Sequence, residues 1–117
     1  MKTKTPVTIR FSELSPPWQA LVRLLQSVNH GQVRNLTVRS GSPAFCPKPT
    51  VLMDVRLDSD ESARPEIELA DFVLRDEVRR LMAHFDQLKE GVVERIEVRA
   101  GIPRRVLIEA RLTEVGR

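Results

Sequence analysis

The sequence predicts an α+β fold: a two-layer sandwich in which an antiparallel sheet carries two helices on one face, built from a tandem (β)αββ duplication. Three observations lead there. Apolar residues recur twice at helical spacing, each recurrence is followed by two segments of alternating apolar and polar residues, and the second set repeats the first at an offset of 60 residues.

Each unit reads in order. A short alternating stretch, PVTIRF (6–11), opens the first unit as a strand. Ser15 and Pro16 then supply an N-cap oxygen and a first-turn proline. Trp18, Leu21, Val22, Leu25 and Val28 form the stripe of an amphipathic helix, and Gly31 is the expected left-handed exit. Leu36 and Val38 then share one strand face, and Val51, Met53, Val55 and Leu57 share another, with a long hairpin loop between the two strands. Gly41 marks a turn requiring positive φ.

The second unit runs through the same steps. PEIELA (65–70) is its short strand, and Asp71 or Asp76 caps a helix striped by Val78, Leu81, Met82, Phe85 and Leu88 up to Gly91. Ile96 and Val98, then Val106, Ile108, Ala110 and Leu112, alternate as strands around a tight turn at Gly101. VRNLTVRSGSP (33–43) matches VERIEVRAGIP (93–103) at the 60-residue offset, while VLMDVRL (51–57) matches VLIEARL (106–112) at 55. Five extra residues therefore fall within SPAFCPKPT of the first unit. The units span about 6–58 and 66–115, joined by a charged linker at 59–65, and form one domain. One unit alone buries too little surface to be stable, so Leu25 and Phe85, equivalent on the two helices, are expected to meet in a shared core.

At 117 residues, with 41% hydrophobic and 30% charged residues, the composition is globular and argues against disorder. No apolar run approaches bilayer length, and the basic start lacks the apolar stretch of a signal peptide. A single cysteine, Cys46, forms no internal disulfide, so a soluble cytoplasmic protein is expected. Charge is uneven. Residues 1–57 hold eight basic against two acidic residues, whereas 58–117 hold eleven basic against fourteen acidic.

No catalytic constellation is visible, and no cofactor or metal is called for. His30 and His84 stand apart with no ligand spacing, no nucleophile is paired with a base, and no phosphate-loop motif occurs. The repeated VRxGxP turn is the sharpest local feature. Arg39 and Arg99 stand at its two copies with Arg104 and Arg105 beside the second, and a meeting of the turns would let these four and the turn amides hold an anion. The outer sheet face is expected to be near neutral, Arg39, Arg56, Arg95, Arg99 and Arg111 being offset by Asp54, Asp58, Glu97 and Glu109. With four phenylalanines, one tryptophan and no tyrosine, it offers no base-stacking platform. Val33, Leu52, Val93 and Leu107 share the parity of that face yet are apolar in both units, which marks an interface and suits an antiparallel homodimer.

The helical stripe, then HGQVRNLTVRSGSP and a second apolar strand, resembles the small bacterial helix–strand–strand domains of unknown function grouped as DUF2292-like. One such domain would cover about half of this chain, and the resemblance implies a fold but no activity. The expectation is a non-catalytic module acting through contacts with a protein partner. The alternative is a nucleic-acid or phosphate binder that uses the basic first unit.

Overall fold

A computed structural model describes residues 9–58 and 73–109. It holds two helices and a five-stranded antiparallel sheet, with both helices on one face. The chain enters through a 3-10 turn, Phe11–Glu13, then forms α1 (Pro16–Val28), β1 (Gly31–Arg39), β2 (Ser42–Ala44) and β3 (Thr50–Met53). After the intervening residues come α2 (Asp76–Leu88), β4 (Gly91–Arg99) and β5 (Ile102–Ile108). The two short strands expected ahead of the helices, and the linker at 59–65, lie largely or wholly outside the described residues. What is described is an antiparallel bridge between Arg10 and Val73, with the Leu74 N–H donating to the Ile9 carbonyl at 2.8 Å.

Both helices form because their apolar stripes have somewhere to go. Trp18, Leu21, Val22, Leu25 and Val28 are all buried, as are Val78, Leu81 and Phe85, and they share one cluster with Val33, Leu36, Val38, Val93, Ile96 and Val98 of the sheet. Leu25 and Phe85 belong to that single core. The ring packed directly against Phe85 is Trp18, with centroids 5.0 Å apart.

The helix ends differ from expectation in detail. Ser15 occupies the N-cap of α1, but its side chain makes no capping hydrogen bond. Arg75, rather than Asp71 or Asp76, is the N-cap of α2; Asp76 is the first helical residue, and Asp71 is outside the described residues. The positive-φ residues that end the helices are Asn29 (φ 65°) and Lys89 (φ 66°), each at the centre of a three-residue turn, not the glycines two positions later. Gly31 is needed for a different reason. A Cβ there would stand 2.0 Å from the Leu52 carbonyl oxygen, so only glycine lets β3 close against β1.

The sheet runs β2–β1–β4–β5, with β3 also paired to β1 beyond β2. At its centre β1 and β4 are antiparallel, with Gly31 opposite Val98, Val33 opposite Ile96, Leu36 opposite Val93 and Val38 opposite Gly91. This register maps onto itself when every residue is exchanged for the one 60 positions away. α1 and α2 are both 13 residues long, and β1 and β4 are both nine.

Three strand expectations are corrected. First, the hairpin of the first half has no long loop. Ser40 and Gly41 (φ 52° and 77°) make the same two-residue turn as Ala100 and Gly101 (φ 57° and 75°), and the extra residues fall after β2, splitting the outer strand into β2 and β3. Second, Val51 faces Val33 as Ile108 faces Val93, two places away from the pairing with Val106 that the sequence match suggests. Third, Val51, Met53, Val55 and Leu57 form no buried face; all four are exposed.

Candidate functional site

The outer face of the sheet begins with a shift of parity. Asn35 adopts φ 59°, and β4 bulges at Glu94 against β5, so the inward residues are 33, 36 and 38 in β1 and 93, 96 and 98 in β4. Val33 and Val93 are thus fully buried core residues and leave the proposed interface set. Two members remain outside: Leu52 is exposed, and Leu107 is half-buried opposite Arg95. Gln32 and Arg34 take the outward places in the first half of β1.

Across the outer face, Leu52, Gln32, Glu97 and Arg105 stand in register on β3, β1, β4 and β5. Glu97 lies between two arginines, its Oε2 3.3 Å from Arg95 Nε and 3.8 Å from Arg105 Nη1. Arg34 and Arg95 are cross-strand neighbours of like charge. No aromatic side chain occupies this row, which leaves base stacking without a platform here.

Because β1 and β4 are antiparallel, their two turns sit at opposite ends of the sheet. Arg39 lies at the end marked by Gly91, about 25 Å along the strand direction from the end where Arg99 stands beside Gly31. The four-arginine anion site across both turns is therefore not assembled. The turn amides are also occupied. Gly101 N–H donates to the Asn29 carbonyl at 2.8 Å, and Gly41 N–H to the Lys89 carbonyl at 2.9 Å. Ala100 N–H donates to His30 Nδ1 at 3.2 Å, and Ser40 N–H to Glu90 Oε2 at 2.9 Å. Each turn caps the helix of the other half, so the two halves interlock. His30 accepts in this contact through Nδ1.

Arg99, Arg104 and Arg105 do come together. With Arg56 they line a cleft of about 670 Å³ at the sheet end where β1 begins and β4 finishes. Two carboxylates share it, Asp54 and Glu97, and Leu52, Met53 and Val98 supply its apolar lining. Arg104 pairs with Glu77 at 3.2 Å and Arg56 with Asp58 at 3.2 Å, both between partly exposed groups. The Arg99 side chain makes no ion pair or hydrogen bond among the described residues.

The second feature is the β3 edge, whose Val51 and Met53 the sequence pattern placed on a buried face and whose Leu52 it placed outside. Among the described residues β3 pairs only with β1, and all four of its residues are exposed. Val51, Leu52 and Met53 are 36%, 44% and 58% exposed. The Asp54 N–H donates to the His30 carbonyl at 2.7 Å. By the alternation of an antiparallel ladder, Leu52 then bonds toward β1 while the backbone groups of Val51 and Met53 point away from it. The opposite edge, β5, carries Pro103, Arg104 and Arg105, residues that discourage further pairing. β3 carries no charge and no proline. The sequence signal for this difference was the run of apolar residues after a proline-rich insertion, which reads equally well as a buried strand.

Cys46 lies exposed in the loop between β2 and β3. Among the described residues no group of His, Cys, Asp or Glu side chains suits a metal ion, and no helix is long and apolar enough to cross a membrane. No protein-family model matches the chain, and comparison with curated proteins and with solved structures finds no similar protein. The likeness of each half to DUF2292-like domains rests on the residues that suggested it.

Proposed function

We propose that this protein is a non-catalytic interaction module that accepts an extended, acidic polypeptide segment as an added strand along β3. The observation that carries the reading is the uncharged, exposed β3 edge, with the backbone groups of Val51 and Met53 turned outward. Main-chain hydrogen bonds would supply affinity there, and the flanking Val51, Leu52 and Met53 side chains would favour alternating apolar residues in the partner. Acidic character follows from the surplus of six positive charges over residues 1–57, the half that contains this edge.

In the same reading the two halves are copies of one helix–strand–strand unit. The equal element lengths and the self-mapping register between β1 and β4 support that descent. The second copy keeps a continuous, arginine-guarded outer strand, whereas the insertion in the first divides its counterpart and leaves β3 open. The cytoplasm is the expected compartment, where Cys46 stays reduced.

The test is an end-capped, fluorescently labelled peptide of alternating valine and glutamate, compared with its valine–lysine counterpart by anisotropy. The glutamate peptide is expected to bind saturably and more tightly. Met53→Pro removes an outward N–H that β1 does not use, so it should abolish binding while the far-UV spectrum is unchanged. Absence of saturable binding, or binding untouched by Met53→Pro, refutes the reading. Light scattering that gives a dimer disrupted by Met53→Pro would make a second copy the occupant instead.

A further inference from the structure

We propose that the arginine-lined cleft at the β4 end is a binding site for a small organic dianion, an oxyanion of the phosphate-monoester or dicarboxylate kind attached to an apolar group. The site differs from the strand docking proposed above in the arginines that carry it, and the two share only Leu52 and Met53 at their border.

Three features converge. The volume, about 670 Å³, falls in the range of small-molecule sites. The lining charges are four arginines against two carboxylates, a local surplus of positive charge that favours an anionic ligand, with Glu77 and Asp58 pairing to Arg104 and Arg56 from outside the lining. The lining is also mixed, with Leu52, Met53 and Val98 beside the guanidinium groups, so an organic portion gains contact that a bare ion would not.

Arg99 is the group with most to gain. It is exposed, and among the described residues its side chain has neither an ion pair nor a hydrogen bond. Arg105 stands beside Glu97 at 3.8 Å, too long for a close hydrogen bond, and Arg104 shares its charge with the partly exposed Glu77. Pairs of this kind contribute little on a wetted surface, so both guanidinium groups can turn to a ligand oxyanion at small cost. Planar guanidinium forks then bind the oxyanion by paired, charge-assisted hydrogen bonds. The turn amides of Ala100 and Gly101 take no part, being held by His30 and Asn29.

Calorimetric titration of the full chain at low salt tests this with phenyl phosphate, benzylsuccinate and inorganic phosphate as probes. Saturable binding of one phenyl phosphate or benzylsuccinate per chain is expected, with inorganic phosphate weaker. Whichever of the two organic probes binds more tightly identifies the oxyanion. Arg99→Gln and Arg105→Gln should each weaken binding by about tenfold, the loss of one charge-assisted contact. Arg39→Gln, at the far end of the sheet, should change nothing. The proposal is overturned if neither organic probe saturates, if Arg39→Gln weakens binding as much as Arg99→Gln, or if inorganic phosphate binds as tightly as phenyl phosphate. Thermal melts of both variants at the wild-type midpoint show that a loss is local, since these arginines are exposed.

Discussion

Truncating Phe85 to alanine probes the contact on which the shared core depends. Phe85 is fully buried on α2, and the ring it meets, Trp18, belongs to α1 in the other half of the chain. Phenylalanine-to-alanine changes at such sites cost about 3–5 kcal/mol through lost transfer energy and the cavity left behind. Loss of the tilted ring pair, with centroids 5.0 Å apart, places the change toward the upper end of that range. A domain of this size holds about 5–15 kcal/mol in total, so a large share of its stability disappears. At about 4 °C per kcal/mol, the melting midpoint should fall by about 12–20 °C. Trp18 is the single tryptophan, so its fluorescence reports on α1 while far-UV circular dichroism follows the whole chain. Both signals should shift together in one transition, although the substitution lies on α2. A loss below about 1.5 kcal/mol, or tryptophan and circular-dichroism curves that separate, would refute the shared core.

Other substitutions test the local account. Gly31→Ala should destabilise strongly, because its Cβ would stand 2.0 Å from the Leu52 backbone oxygen, whereas Gly91→Ala meets only the Leu88 side chain at 3.1 Å and should cost much less; paired urea melts check the contrast. Ala100→Asn should stabilise by about 0.5–1 kcal/mol, since Ala100 holds φ 57° ahead of Gly101 in a turn that favours Asn-Gly, with a raised melting midpoint as the readout. Ser15→Ala should cost less than about 0.5 kcal/mol in denaturant melts, below the usual N-cap loss, because its side chain makes no capping bond.

The parts legible in the sequence were those governed by a single local period. The helical stripes through Trp18 and Leu25, and through Val78 and Phe85, needed only a 3.6-residue spacing and a core to face. The turns at Gly41 and Gly101 followed from glycine's tolerance of positive φ. Misreadings arose where one residue broke a period or a long-range pairing intervened. Asn35 in a left-handed conformation inverts the alternation of β1, so strict parity sent Val33 outward when it belongs to the core. Gly31 looked like a helix exit because it follows the stripe, yet its role is set by Leu52, a neighbour 21 positions away. The candidate anion site divided for the same reason. Arg39 and Arg99 are equivalent in sequence, but antiparallel pairing of β1 with β4 sends equivalent residues to opposite ends. β3 was the hardest element to foresee, since the apolar run of Val51, Leu52 and Met53 carries the same pattern whether buried or exposed at an edge.

Amide hydrogen exchange along β3, followed by NMR, tests the open edge most directly. In the free protein the Val51 and Met53 amides should exchange rapidly while the Leu52 amide, turned toward β1, is protected. Saturation with the valine–glutamate peptide should protect Val51 and Met53 and leave the β5 edge unchanged. Slow exchange at Val51 and Met53 in the free protein, or peptide-induced protection that falls elsewhere, would contradict the account.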